Sequence, residues 1–307
     1  MTVRASIDLG TNTCLLLIAQ CNEAGHVLKV LEDHSQIVRL GQGVDSSRKL
    51  LPEAMGRAKV ALQFYQQRLH AHGISSREVV AVATSQARDA QNGQEFFDSV
   101  RAELGFEFRI LTGEQEAQAT FLGGLLPGDD PEKSAVLDIG GGSTELMGPQ
   151  GGVSLDVGSV RFTERYFRAN PGLAPTDEEF WACRAAIDDE LRPLLPWREK
   201  LSPQTQLIAV AGTATTAASV FLELEHFDQA QIDGLVLSRG DLHRFVEDLK
   251  WRTLEEKQAL LKDEAGRAEV ILAGALILWR TLETLNFKDV KISTRGLRFG
   301  VLRATSS

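Results

Sequence analysis

Two short stretches share a pattern that can hold phosphate. Ile7-Asp8-Leu9-Gly10-Thr11-Asn12-Thr13 and Leu137-Asp138-Ile139-Gly140-Gly141-Gly142-Ser143 each run aliphatic, Asp, aliphatic, Gly, two further residues and a hydroxyl, and a Leu follows three positions later in both (Leu16, Leu146). A glycine-rich turn between two strands leaves backbone N–H groups converging on one point, with no Cβ to block an approaching anion. Gly10, Thr11, Asn12 and Thr13, and Gly140, Gly141, Gly142 and Ser143, are therefore candidate phosphate-binding residues. An Asp at each strand end facing the same anion needs a divalent cation between them, so Asp8 and Asp138 are candidate Mg²⁺-orienting carboxylates. The copies differ where Leu15 is replaced by Glu145. Strand alternation puts Ser143, Glu145 and Met147 on one face, which makes Glu145 a second carboxylate for the cation. One such turn alone is usually a tight hairpin; two in register argue for a duplicated anion site.

A third turn, Ala211-Gly212-Thr213-Ala214, follows an apolar run and opens a helix rich in Ala and Thr. Its N-terminus favours an anion at Gly212 and Thr213. As a plain strand-to-helix connection it equally needs no ligand.

Alternating strand-like and helix-like runs position these turns and indicate α/β architecture. Strands are expected at residues 4–9, 14–19 and 27–32, then a helix at 52–72 with Pro at its first turn and Gly73 beyond its end. A strand at 79–84, a helix at 96–104, a strand at 106–111 and a helix opening near Gly113 complete the first half. Pro127, Gly128, Asp129, Asp130 and Pro131 mark a linker, after which strands return at 135–139 and 143–147. The remainder is mainly helical, with an N-cap at Thr176. The domains expected are 1–124 and 125–307, with the last helix, about 295–307, packing back on the first. At 307 residues the chain suits two cores of about 150 residues, and two domains imply a central cleft.

Composition narrows the chemistry. Apolar residues at 43% and charged residues at 24% are ordinary for a globular protein. A net charge of −9 lacks the broad basic field of a nucleic-acid binder, although loop amides, a cation and a few arginines can make a small site locally positive. Cys14, Cys21 and Cys183 form no CxxC pair and read as buried apolar residues. No His is followed directly by Asp, so any metal is expected on oxygen ligands. Residues 1–7 carry Arg4 and enter a strand without an apolar stretch, so the expectation is a cytoplasmic protein with no membrane partner. A homodimer is compatible with this composition.

Together these stretches resemble the exopolyphosphatase/guanosine pentaphosphatase (Ppx/GppA) family of the actin, sugar kinase and Hsp70 superfamily. The likeness is carried by Asp8 to Thr13, Ala83-Thr84-Ser85 through Arg88-Asp89-Ala90, Leu111 to Ala117, Asp138 to Glu145, Asp156 to Arg161, Arg267 to Ala275 and Gly296-Leu297-Arg298. It implies two actin-like (ribonuclease H-like) domains. It also implies that Arg88 contacts the substrate phosphate and that Glu116 is the catalytic base, with Glu114 only a neighbour. On chemistry alone Glu116 is a first-turn acid that complements the helix dipole. The implied substrates are inorganic polyphosphate or guanosine pentaphosphate, with Mg²⁺ or another divalent cation. No motif reads as guanine-specific, which favours polyphosphate. Gln118, Ala211 and Phe299 depart from the family pattern. The competing readings are a kinase of the superfamily, which needs a nucleotide pocket and an acceptor-site aspartate, and a sensor that binds polyphosphate or guanosine polyphosphates without turnover.

Overall fold

The structure is a computed structural model that describes residues 1–167 and 172–304. The chain divides into two compact units. One comprises Met1–Gly123 and the C-terminal helix Leu297–Ala304; the other is Gly124–Arg295. The last three positions of the terminal helix expected from the sequence, 305–307, lie outside the described residues.

Among the described residues the first unit carries β1 (Thr2–Leu9), β2 (Thr13–Cys21), β3 (Val27–Ile37), β4 (Val80–Ala83) and β5 (Phe108–Ile110), in sheet order β3-β2-β1-β4-β5. β1 runs antiparallel to β2 and parallel to β4. Both faces of this sheet are covered, so its strands bury residues in succession instead of alternating apolar with polar. Ile7, Leu9, Cys14, Leu16 and Ile18 face a core completed by helices Pro52–Ala71 and Gly93–Leu104. Leu17, Ala19 and Cys21 meet Phe299 and Leu302 of the C-terminal helix. Phe299, a departure from the family pattern, is thus a core residue at 3% exposure.

The C-terminal helix lies against β1 and against helix Gly113–Gly124. A Cβ added to Gly300 would fall 1.7 Å from the Ala119 carbonyl oxygen, so only glycine permits this approach. Ser6 donates from Oγ to the Arg298 carbonyl (2.6 Å), and the Arg298 guanidinium grips both oxygens of Asp33 at 2.9 and 2.7 Å.

The second unit carries β6 (Ser134–Ile139), β7 (Thr144–Gly148), β8 (Gly151–Leu155), β9 (Gln206–Val210), β10 (Val236–Ser238) and β11 (Asp289–Ile292), in order β10-β11-β9-β6-β7-β8. β8-β7-β6-β9-β11 repeats the order and directions of β3-β2-β1-β4-β5, and β10 is an added antiparallel edge. Both units therefore have the mixed α/β, actin-like (ribonuclease H-like) topology. Helix Ile271–Thr284, buried along nearly its whole length, packs with helices Asp177–Leu191 and Arg239–Lys250 around Leu137, Leu207 and Ala209.

Several bounds differ from those expected. β3 extends to Ile37 because its pairing with β2 continues to Thr13 despite polar Asp33, Ser35 and Gln36. The strand expected at 106–111 shrinks to Phe108–Ile110, which Ala81, Val82 and Ala83 of β4 can pair. The strand expected at 143–147 begins one residue later, because Ser143 belongs to the turn.

Candidate active site

The two Asp-Gly turns close the β1–β2 and β6–β7 hairpins, and each is closed the same way: Gly10 N–H donates to Thr13 O (2.9 Å) and Gly140 N–H to Ser143 O (3.0 Å). Their carbonyls are held from behind. In the first unit Gly41 N–H binds Thr11 O (2.8 Å), while Val38 and Arg39 N–H both bind Asn12 O (2.9 Å each). In the second unit, Ser159 N–H takes Gly140 O (2.9 Å), and Val160 and Arg161 N–H take Gly141 O (2.9 and 3.0 Å). Arg161 Nε adds a bond to Gly142 O (2.7 Å). The donors from Ser159 onward are first-turn amides of helix Ser159–Tyr166, which lack intrahelical acceptors and so are available to clamp the turn.

With the carbonyls tied back, the amides are left over. Those of Thr11 and Asn12, and of Gly141, Gly142 and Ser143, find no protein acceptor among the described residues. This is the arrangement an anion cradle requires. Thr11 sits in its loop with its side chain turned inward: Oγ1 donates to Gln86 Oε1 (2.6 Å) and lies 3.1 Å from Ser85 Oγ, which leaves only its amide for a phosphate.

The carboxylates follow from strand register. Asp138 pairs directly with Glu145 across β6–β7, whereas Asp8 pairs with Leu15 across β1–β2. Residues directly opposite on antiparallel strands share a face with Cβ atoms about 5 Å apart. The second unit therefore sets two carboxylates side by side where the first sets a carboxylate beside a leucine. Glu145 is 2% exposed, and Ser154 Oγ donates to its Oε1 (2.8 Å). Among the described residues no group of three or more His, Cys, Asp or Glu side chains is placed to hold a metal ion. Two adjacent carboxylates nevertheless fit Mg²⁺, which commonly takes one or two protein carboxylates and fills its octahedron with water and phosphate oxygens. Cys14, directly after the first turn, is buried; desolvation, then the Asp8 charge, pushes its thiol well up, so it stays protonated and takes no part.

Arg88 and Glu116 meet in the first unit. Arg88 lies on the short helix Ser85–Asp89, its NH1 donating to the Leu111 carbonyl and to Glu116 Oε2 (3.1 Å). Glu116 is in the first turn of helix Gly113–Gly124, where Thr112 and Gln115 exchange capping bonds (3.1 and 3.2 Å) and Glu116 N–H donates to Thr112 O (2.9 Å). An ordinary first-turn glutamate is solvated. Glu116 is 6% exposed, while Glu114 and Gln118 beside it are exposed.

The third turn is built differently. Ala211 has φ 64°, the left-handed region in which a Cβ is strained, at the mouth of helix Ala211–Phe221. Gly212 is covered by the Arg267 guanidinium, whose NH1 would lie 1.6 Å from an added Cβ, and Arg267 Nε is 3.4 Å from Glu264 Oε1. Burial holds Arg267 below its ordinary value against the opposing pull of Glu264. The Arg267 guanidinium thus lies over Gly212 at the start of this helix.

The structure brings Arg88 and Glu116 together and pairs Asp138 with Glu145. It also finds partners beside these groups for Gln86, Arg161 and Ser154, for which residue type and spacing alone set no role. Gln86 and Arg161 lie inside motif stretches beside better-marked residues; nothing in the spacing marks Ser154.

The Ppx/GppA phosphatase family model matches residues 17–306. Exopolyphosphatase 2 of Mycobacterium tuberculosis is 35% identical over 291 residues, covering 91% of this chain and 89% of its own length. A crystal structure of an exopolyphosphatase-like protein superposes with a TM-score of 0.89 at 30% identity, covering 99% of both chains. The Ppx/GppA family member of Aquifex aeolicus superposes at 0.76 with 29% identity, over 99% of this chain and 97% of its own. A chain that carries the paired loops, the buried Glu116 on Arg88 and these likenesses along its length belongs to the Ppx/GppA phosphatase family.

Proposed function

We propose that this chain is an exopolyphosphatase that releases terminal orthophosphate from inorganic polyphosphate. The observation that carries the reading is Glu116, a buried carboxylate held 3.1 Å from the Arg88 guanidinium in the unit that also carries the Thr11–Asn12 amides. Glu116 is the general base: it accepts a proton as a water oxygen attacks the terminal phosphorus. The bridging P–O bond breaks, and the shortened chain leaves with the bridging oxygen. The guanidinium of Arg88 spans two phosphoryl oxygens and stabilises the charge that develops on them. Loop amides hold phosphate oxygens in each unit. Asp138 and Glu145 would hold Mg²⁺, which neutralises phosphate charge when bound, and Asp8 is a further carboxylate for a cation.

Polyphosphate is preferred to guanosine pentaphosphate because the sequence carries no guanine-reading motif, and the relative from M. tuberculosis is named an exopolyphosphatase. The test compares kcat/KM on polyphosphates of several lengths and on guanosine pentaphosphate, with Mg²⁺. Higher values on polyphosphate are expected; higher values on guanosine pentaphosphate would reverse the assignment. Phosphate transfer from ATP to a sugar or to acetate would indicate a kinase instead, and binding of polyphosphate without orthophosphate release would indicate a sensor.

A further inference from the structure

Gln86 stands between the first phosphate loop and the arginine. It is 2% exposed, and both ends of its carboxamide are used. Nε2 donates to the Leu9 carbonyl (3.0 Å) and Oε1 accepts from Thr11 Oγ1 (2.6 Å). Leu9 ends β1 and Thr11 is the second residue of the turn, so one side chain bridges the start of the loop. A second hydroxyl, Ser85 Oγ, lies 3.1 Å from Thr11 Oγ1. Gln86 belongs to helix Ser85–Asp89, and two residues later the same helix carries Arg88, whose NH1 reaches Glu116. From loop amide to base the path is Thr11, Gln86, Arg88, Glu116, all in the first unit.

A five-residue helix has little rigidity of its own. Its orientation to the loop must come from side-chain bonds and packing. A buried carboxamide satisfied at both ends is well suited to this, because letting go of either partner leaves a polar group unpaired in a dry site. We infer that Gln86 is a positioning residue, and that its two hydrogen bonds fix the register between the loop amides and the Arg88–Glu116 pair. The inference rests on the reading of Glu116 and Arg88 given above. Gln86 itself touches no phosphate. Its loss leaves every phosphate-binding group in place but lets their geometry drift. A flexible phosphate chain adapts to such drift in the ground state; an in-line transition state does not.

Steady-state orthophosphate release is measured for wild type, Gln86→Leu, Thr11→Val, Thr11→Ser and the Gln86→Leu/Thr11→Val double variant, well below each variant's Tm. The substrate is whichever of polyphosphate and guanosine pentaphosphate the wild type turns over. For Gln86→Leu, kcat is expected to fall about 10- to 100-fold with KM within about threefold of wild type. Thr11→Val is expected to lose kcat in the same direction, and Thr11→Ser, which keeps the hydroxyl, to lose clearly less than Thr11→Val. Because the two residues share the Thr11–Gln86 bond, the double variant should lose clearly less than the product of the single losses. Unchanged kcat in Gln86→Leu, or losses that simply multiply, would overturn the inference while leaving the functional reading standing. A wild type inactive on both substrates would instead remove that reading and this inference with it. Should Gln86→Leu fail to fold, the contrast between Thr11→Val and Thr11→Ser decides: equal kcat in the two overturns the inference.

Discussion

At the scale of single residues, the site depends on where carboxylates are buried and what faces them. Glu116 is 6% exposed, and what faces it is the Arg88 guanidinium at 3.1 Å. Replacing Glu116 with Gln keeps the shape and removes the proposed base. The expected result is a kcat about 10²- to 10⁴-fold lower with KM little changed, measured as initial orthophosphate release. The second carboxylate site is asymmetric: Glu145 faces Asp138 where Leu15 faces Asp8. Titrating activity with Mg²⁺ should show Glu145→Ala needing distinctly more cation for half-maximal rate, and Thr13→Ala less so. Equal shifts would place the cation elsewhere. Glu145 was legible in the sequence, since strand period and the duplicated motif suffice to align it with Leu15. The inward turn of the Thr11 hydroxyl was not, because its acceptor is Gln86, 75 residues away in the chain.

Elements explain why the turns keep their shape. Each Asp-Gly turn is clamped from behind by a segment remote in sequence, residues 38–41 in one unit and the start of helix Ser159–Tyr166 in the other. Sequence periodicity found the hairpins but could not show what clamps them, since most of the contacts are backbone to backbone and impose no residue type, with the Ser159 and Arg161 side chains adding one bond each. The short helix Ser85–Asp89 was likewise invisible: five residues carry too few turns for a helical pattern. Two helix positions lead to expectations. Ala211, at φ 64°, is in a conformation that costs a residue with a Cβ about 1–2 kcal/mol. Ala211→Gly should therefore raise stability, by about 1 kcal/mol after the extra chain entropy of glycine is subtracted, as read from urea unfolding. Gly300→Ala should act oppositely. Its methyl would meet the Ala119 carbonyl 1.7 Å away, separating the C-terminal helix from the helix that bears Glu116. A loss of about 1–3 kcal/mol is expected, together with reduced kcat.

For the whole molecule, the duplicated sheet order shows why one motif match so far along the chain was informative. Two units that repeat the same strand order repeat the same hairpin turn. The α/β class and the repeat were therefore readable from local pattern, whereas the added edge strand β10 and the crossing of the C-terminal helix into the first unit depend on long-range packing. Among the described residues no helix is long and apolar enough to cross a membrane. Global stability should carry a pH signature from Glu32, which accepts two bonds from Arg68 (2.8 and 2.6 Å) and one each from His34 and His72 (2.7 Å each). Arg68 first, then the two histidines, hold this carboxyl far below the ordinary carboxylate range, with burial opposing them. A depressed value in the folded state stabilises above the unfolded value, about 4.3, and that contribution is lost as pH falls toward the folded value. Glu32→Gln should thus cost about 1–2 kcal/mol at pH 7, the network being partly solvent-screened, and progressively less below pH about 4, by chemical denaturation at both pH values.

The central claim is that Glu116 and Arg88, beside the first loop, hydrolyse the end of a phosphate chain. It is tested most directly by following orthophosphate and residual chain length from a defined polyphosphate with Mg²⁺, for wild type and Glu116→Gln in parallel. Wild type should release orthophosphate while chains shorten from their ends, and Glu116→Gln should still bind polyphosphate yet turn over about 10²-fold more slowly or less. Undiminished turnover in Glu116→Gln, or internal cleavage without terminal orthophosphate, would contradict it.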